Sequence, residues 1–445
     1  MSAIVFAFPD RQTLTTAMAH PTLESGAILL AHPVRKGEGG AWRLLVKECH
    51  VATDKDYVER TPVNVRFAPE FCLPLEKKAK LENLSLIYCH THVHDGTPRF
   101  SGIDDRAEAE LGTYLDQRRI LCPAAALLLS QDAMVARVLG TQEPIRVIES
   151  GSDLLDAEVS QIGEDLAARH DRQIRAFGVG GQQRLSQMSV AIIGLGGTGS
   201  LVAQQLAHLG VSEFLLFDHD RIEETNLNRV VGATVSDIGR AKVDVAADMI
   251  ERIHGEPRIQ KYLMDITAGD ASVPMSAADF IFGCTDTHAS RHWMNQFAYQ
   301  YRIPAIDMGV AIANSGEDLL LAGHVKMLTS GLSCLWCARH LDSKQVWNEL
   351  RSEPERAADP YFVCGSGVSQ PAVISLNSTV ASLAVTMFLS AVTGIPSVPR
   401  YLLYDGNRGR VNQALVESDP ACVFCGPNST AGWGADAPLP ERAHE

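Results

Sequence analysis

Positive charge is in short supply: 39 lysines and arginines stand against 53 aspartates and glutamates, a formal net charge of −14. Nucleic acid and anionic membranes are held by clustered cations, so neither is expected as a general partner; a small anionic ligand in a local basic pocket remains compatible. A secretory leader is not expected. The first apolar run is short, lacks a basic lead and is interrupted by Pro9 and Asp10, so cytoplasmic residence is the default expectation. No internal repeat or low-complexity tract stands out, which sets repeat architectures aside. One stretch, residues 365–399, has no charged residue at all. It is long enough to cross a bilayer, but Ser366, Ser369, Gln370, Asn377 and Ser382 would be costly in lipid, so a buried or interfacial helix is expected there.

What is present is globular in character: 46% hydrophobic and 21% charged residues over 445 positions. That length exceeds one ordinary core, and two domains are expected. Near the start, residues 13–19 read as a helix, and residues 23–31 and 42–47 as strands. Residues 84–94 (LSLIYCHTHVH) form an apolar strand ending in imidazoles, and Ser101 is a good N-cap for a following helix.

His90 and His92 alternate on one strand face and can share a metal ion, and Asp104 in the first helical turn can complete three protein ligands. The fourth position stays open for water, whose pKa zinc lowers towards about 7. Glu24, read on the first of these strands, is the candidate general base. His94 is the alternative second ligand. The set Pro21, Glu24, Gly26, His90, His92, Ser101 and Asp104 resembles the JAB/JAMM (MPN) metallopeptidase family over about residues 10–140. That resemblance implies cleavage after the C-terminal glycine of a ubiquitin-like or sulfur-carrier protein, with Ser101 hydrogen-bonding the oxyanion or water. The sequence departs from the pattern in having eight residues between His92 and Ser101, where seven are usual, and Val93 where proline is common.

Residues 189–229 carry a strand, a glycine turn (Gly194, Gly196, Gly197, Gly199), a helix and a second strand ending at Asp218 and Asp220. Such a turn lets backbone N–H groups approach a phosphate at a helix N-terminus. Strands and helices then alternate at α/β spacing. A redox dinucleotide needs little charge beyond one ribose-binding carboxylate. Here Arg172, Asn226, Arg229 and Lys242 supply cations and a donor suited to a triphosphate, and Asp286 at a strand end could hold Mg²⁺. Cys334-x-x-Cys337 and Cys422-x-x-Cys425 have tetrahedral zinc spacing and would clip the C-terminal end back onto the sheet. The remaining cysteines at 49, 72, 89, 122 and 284 read as buried apolar residues.

The ordered set R-x-x-R-Q, G-x-G-G-x-G, D-x-D, N-L-x-R, Lys242 and C-x-D resembles the ubiquitin-activating-enzyme superfamily, including the ThiF/MoeB adenylyltransferases, over about residues 165–426. The resemblance implies ATP-dependent adenylation of the C-terminal glycine of a ubiquitin-like or sulfur-carrier protein. It places Asp218 and Asp220 near the ribose and Arg229 and Lys242 on the phosphates. It also sends Arg172 into a partner protomer's site, hence a homodimer, and makes Cys364 an acyl acceptor or sulfur-transfer residue.

The expected architecture is α/β: an α+β domain of JAB/MPN type at 1–145, a linker at 146–165, a Rossmann-like doubly wound adenylation domain with a C-terminal zinc clip at 166–426, and a disordered tail at 427–445. The expected cofactors are ATP, Mg²⁺ and two Zn²⁺, one structural and one catalytic. The leading reading is activation of a ubiquitin-like protein, with a conjugating enzyme as a further partner, joined to zinc-dependent processing of the same tail. The alternatives are sulfur-carrier activation for cysteine, thiamine or molybdopterin synthesis, and a binding or scaffold protein with an inactive N-terminal domain.

Overall fold

The computed structural model describes all residues except 1, 94–97, 131–132, 155–167, 316–317, 353–354, 356–370, 396–398 and 443–445. The chain forms two compact units: Met1–Gly151 with Gln300–Arg302 and Ala431–Ala437, and Ser152–Tyr299 with Ile303–Thr430 and Pro438–Glu445.

The first unit is a closed barrel of β1 (Ala3–Ala7), β2 (Gly26–Arg35), β3 (Trp42–Val51), β6 (Ser85–Thr91), β7 (Ala125–Leu129), β8 (Met134–Val138) and β9 (Pro144–Ser150), in the order β1-β3-β2-β6-β7-β8-β9. A separate hairpin pairs β4 (Tyr57–Arg60) with β5 (Val65–Phe67). Strand β2 is apolar at every position from Ala27 to Ala31 because both its faces are covered. Ala27, Leu29 and Ala31 pack with Leu14 and Met18 of α1 (Asp10–Met18). Ile28 and Leu30 pack with Leu75 and Ala79 of α2 (Pro69–Leu81) and Leu115 of α3 (Gly102–Gln117).

Three expectations shift here. Glu24 is not on a strand; it stands two residues before β2, its N–H donating to Thr61 O (3.0 Å). Pro144–Ser150, placed mostly in the linker, is strand β9, paired in parallel with β1, with Ile145 buried in the barrel core. The segment carries one Arg and one Glu among its apolar residues, and only alternate positions of a strand face one side. The tail expected at 427–445 is described as far as residue 442, and Gln300 Nε2 donates to the carbonyls of Gly434 (2.6 Å) and Ala437 (2.7 Å).

The second unit carries an eight-stranded sheet, order β12-β11-β10-β13-β14-β15-β16-β17. β10 (Ser189–Ile193), β11 (Glu213–Phe217), β12 (Arg258–Tyr262), β13 (Phe280–Gly283) and β14 (Ala305–Ser315) run parallel. β15 (Asp318–Leu328), β16 (Tyr401–Asp405) and β17 (Arg410–Gln413) continue it antiparallel. Before β10 lies α4 (Asp171–Gln187), kinked at Gly178, whose φ of +78° is readily adopted only by glycine.

Helices α5 (Gly197–Leu209), α6 (Lys242–His254) and α8 (Ile374–Thr393) close over one face, where Phe214, Phe280, Phe282 and Phe388 are fully buried. Each such side chain contributes about 1.5–3 kcal/mol of burial free energy, so this face tolerates no charge. Helix α7 (His288–Gln300) covers the other face, with Met294 against Gly283. The uncharged stretch is therefore α8 in its described part, packed on α5 and strands β14 and β15. Because β11 and β12 extend from one side of β10 while β13 and β14 extend from the other, strand order reverses between β10 and β13. Ligands of such sheets bind in the crevice at the carboxyl ends of these two strands.

Candidate functional site

The glycine turn occupies that crevice. Gly194 follows β10 with φ +85°, and its N–H donates to Phe217 O (2.8 Å). A Cβ at Gly194 would lie 2.8 Å from Cys284 O, and one at Gly199 would collide with Gly194 O. Close approach of backbone to backbone therefore requires both glycines. The turn delivers the chain into α5, whose first N–H groups have no intrahelical acceptors and carry the positive end of the helix dipole.

Asp218, buried at the end of β11, accepts from Leu195 N–H (2.6 Å) and from Asp220 N–H (2.8 Å). Burial raises its pKa against the opposing pull of Lys242 and these donors. Asp220 is exposed and pairs with Lys242 Nζ at 2.7 Å; partial burial pushes its carboxyl up, but Lys242 outweighs this and the net shift is downward. Arg229 donates to Thr225 O (2.6 Å), and its Cδ would be 3.3 Å from a Cβ on Gly197. Asn226 is buried and accepts from Glu223 N–H (3.1 Å), so its carbonyl oxygen holds its own turn. Asp286 is exposed three residues beyond β13, and Arg172 is exposed on α4. Contacts thus join the glycine turn to Asp218, Asp220, Lys242 and Arg229. Among the described residues no hydrogen bond or ion pair joins Asp286 or Arg172 to that group, and Cys364 lies outside the described residues.

Behind the turn, Asp307 on β14 is fully buried between Arg291 of α7 (2.6 and 2.9 Å) and His324 of β15 (2.7 Å). Burial would raise this carboxyl, but the Arg291 guanidinium and His324 hold it well below its ordinary range.

The four cysteines converge. Cys334 Sγ lies 3.8 Å from Cys337 and 3.6 Å from Cys422, and Cys337 lies 3.6 Å from Cys425. A tetrahedral ion with bonds near 2.3 Å has ligand–ligand edges of about 3.8 Å, so the quartet fits zinc. Asp419 N–H donates to Cys337 Sγ (3.4 Å). Asn295 of α7 accepts from Leu335 N–H (2.8 Å), and His292 accepts from Trp336 Nε1 (3.1 Å), anchoring the knuckle to the helix.

In the first unit, His90 Nε2 is 3.3 Å from His92 Nε2 and 3.2 Å from Asp104 Oδ1, and His92 is 3.7 Å from Asp104 Oδ2. Bonds near 2.0–2.1 Å give tetrahedral edges of about 3.3–3.4 Å, so this trio also has zinc dimensions. Ser101 caps α3, accepting from Ile103 N–H (3.2 Å) and Asp104 N–H (3.3 Å), while Asp104 Oδ2 accepts from Ser101 N–H (2.5 Å). This capping box fixes the carboxylate facing the histidines. Burial pushes Asp104 up, but the His90 hydrogen bond and Ser101 N–H carry it well below its usual value. Glu24 is buried, 3.8 Å from His92, and burial raises its pKa to about 7. His94 lies outside the described residues.

Two contributors escape sequence reading. Arg60 donates to Glu24 O (2.9 Å) and Ser25 Oγ (2.9 Å), fixing the backbone that aims Glu24. Asn377 of α8 lies against Gly197. Its only sequence signal is a lone amide among the serines, threonines and apolar residues of an uncharged helix.

The ThiF family profile matches residues 170–424. The chain is 26% identical over 274 residues to molybdopterin-synthase adenylyltransferase of Escherichia coli K12, covering 60% of this chain and all of that protein. It is 28% identical over 271 residues to adenylyltransferase and sulfurtransferase MOCS3 of Drosophila willistoni, covering 60% of this chain and 55% of that one. It thus spans only about half the length of that insect relative. Among solved structures, E. coli MccB with ATP is 20% identical, covers 60% of this chain and 76% of that one, and has a TM-score of 0.47.

Proposed function

Because this chain belongs to the ThiF family, we propose that its second unit adenylates the C-terminal glycine of a sulfur-carrier or related ubiquitin-like protein at the expense of ATP. The observation that carries the reading is the glycine turn at the switch point, with Asp218 locked on Leu195 N–H and Lys242 beside Asp220. The relatives shift the emphasis from conjugation to sulfur-carrier activation: one is named for molybdopterin synthase, the other also as a sulfurtransferase.

In the proposed reaction a glycine carboxylate oxygen attacks the α-phosphorus, the bond to the β,γ-pyrophosphate breaks, and an acyl-adenylate forms. The N–H groups of the turn and the α5 dipole hold phosphate oxygens, Arg229 and Lys242 offset charge on the departing pyrophosphate, and Asp218 and Asp220 orient the ribose. Asp286 would hold Mg²⁺, Arg172 would act across a homodimer, and Cys364 would accept the acyl group or take part in sulfur transfer. The Cys334, Cys337, Cys422 and Cys425 set would hold structural zinc.

For the first unit we propose a zinc peptidase of JAB/JAMM type acting on the same tail, in the cytoplasm. Support comes from the metal-sized trio His90, His92 and Asp104 with a buried carboxylate beside it. Zinc would supply an activated water there; Glu24 would take its proton and Ser101 would steady the developing oxyanion.

Carrier-dependent ATP–pyrophosphate exchange tests the adenylation reading, using a glycine-tailed carrier encoded nearby. Exchange is expected in the wild type and lost in Asp286→Ala and Lys242→Ala. A thiocarboxylate product would support sulfur transfer, a thioester passed to lysine would support conjugation, and wild-type protein without exchange would overturn the reading.

A further inference from the structure

Asn377 sits in the second turn of α8, 180 positions along the chain from Gly197, and is only 5% exposed. Its backbone N–H is satisfied by Val373 O (3.1 Å). Its side-chain amide makes no hydrogen bond to another described residue and is free to meet a ligand. Of its atoms, Nδ2 is the one facing Gly197, so close that a Cβ there would collide with it. Arg229 approaches the same glycine, its Cδ at 3.3 Å from that hypothetical Cβ. An uncharged donor and a guanidinium stem therefore meet at the first residue of a thirteen-residue helix, where N–H groups already point outward.

We propose that Asn377 is a ligand-contacting residue of the nucleotide site, its Nδ2 donating a hydrogen bond to a phosphate oxygen held over the glycine turn. This rests on the adenylation reading and adds a residue to it. The chemistry suits the place. An amide donates without titrating, so its contribution is independent of pH, and unlike a lysine it neutralises no charge and leaves pyrophosphate release unhindered. Gly197 then has a steric purpose beyond the turn, because any side chain there would push the amide away from the ligand.

The test is equilibrium binding of a non-hydrolysable ATP analogue and of adenosine to the full chain and to its Asn377→Asp and Asn377→Ala variants. Asn377→Asp keeps the shape and replaces the donor with a carboxylate facing phosphate. It should weaken the triphosphate analogue about tenfold or more, the scale of a lost charge-assisted hydrogen bond, while leaving adenosine unchanged. Asn377→Ala should show a smaller loss with the same selectivity. A merely structural asparagine would lower both ligands together or neither. Equal loss for both ligands, or unchanged analogue binding in a variant that melts like the wild type, would overturn the proposal. If the wild type itself bound no analogue, the adenylation reading would fall and this residue assignment with it. Gly197→Ala supplies a second route should the asparagine variants fail to fold: it displaces the amide from the other side and should reproduce the triphosphate-selective loss.

Discussion

Removing Cys422 and Cys425 together, as Cys422→Ser/Cys425→Ser, should unfasten the second unit by an amount set by chain length. Cys337 and Cys422 are 85 positions apart, and a metal joining the two pairs closes that loop in the folded protein. Chain-closure entropy for a loop of this size is about 4–5 kcal/mol at 25 °C. For a unit of this size, that corresponds to a fall in melting temperature of roughly 7–8 °C. Direct metal–thiolate bonding adds to it, while burial of Trp336 against Phe424, with ring centroids 6.2 Å apart, is lost at the same time. The measurement pairs zinc quantification by mass spectrometry with scanning calorimetry, since the zinc count and the transition must move together. The variant should hold one zinc fewer per chain and show an earlier transition, and chelation of the wild type should reproduce both. A variant that retained its full zinc content, or that lost zinc with an unmoved transition, would refute the idea that the cysteines close the loop through a metal.

His90→Ala should remove a different zinc, leaving the cysteine-bound ion in place; a zinc count unchanged from wild type would sink the first-unit metal site. Asp307→Ala leaves Arg291 buried without its counter-charge, and breaking such a pair costs about 3–5 kcal/mol. The urea midpoint should fall with the slope of the transition retained, and an unmoved midpoint would contradict the pairing seen at 2.6 Å. His340 is held down to about 4 by burial, with His324 adding to the effect, against an ordinary 6.5. The unfolded imidazole therefore takes its proton first as pH falls. The contribution to stability is complete above about 6.5, is lost progressively as pH drops towards 4, and should be absent from the pH profile of His340→Gln. Matching slopes for variant and wild type between pH 7 and 4 would show that His340 does not titrate this way.

How far the sequence could be read depended on whether the determinant was local. The glycine turn, the Ser101 cap and the cysteine pairs are all fixed by residues within a few positions of one another, and each lies where its spacing implied. Strand β9 departs from the linker expectation because its apolar residues Ile145, Val147 and Ile148 are interrupted by Arg146 and Glu149, and so short an apolar set is hard to separate from a linker. Glu24 was placed on a strand because apolar residues follow it, whereas pairing with β6 begins only at Gly26. Strand β1 has no counterpart among the expected elements, yet Ala3–Val5 pair with β3 and Ala3–Ala7 with β9, and this closes the barrel. That closure is a long-range event with no local signature.

The same distinction separates the parts of the nucleotide site. A glycine turn by itself accommodates several dinucleotides and mononucleotides, and its neighbours decide among them. Motif order supplied Lys242 and Asp220 as separate groups, one for phosphate and one for ribose, but did not indicate that the two pair with each other at 2.7 Å. The pair has a consequence that neither residue has alone. In the proposed site each group neutralises the other in the free protein, and a nucleotide presenting a ribose and a polyphosphate together would replace both halves of the pair at once. A free phosphate would engage only the lysine and leave Asp220 without its counter-charge. On that reading the pair would favour the whole nucleotide over its fragments, a selectivity set by the packing of α6 beside β11, which no single motif encodes.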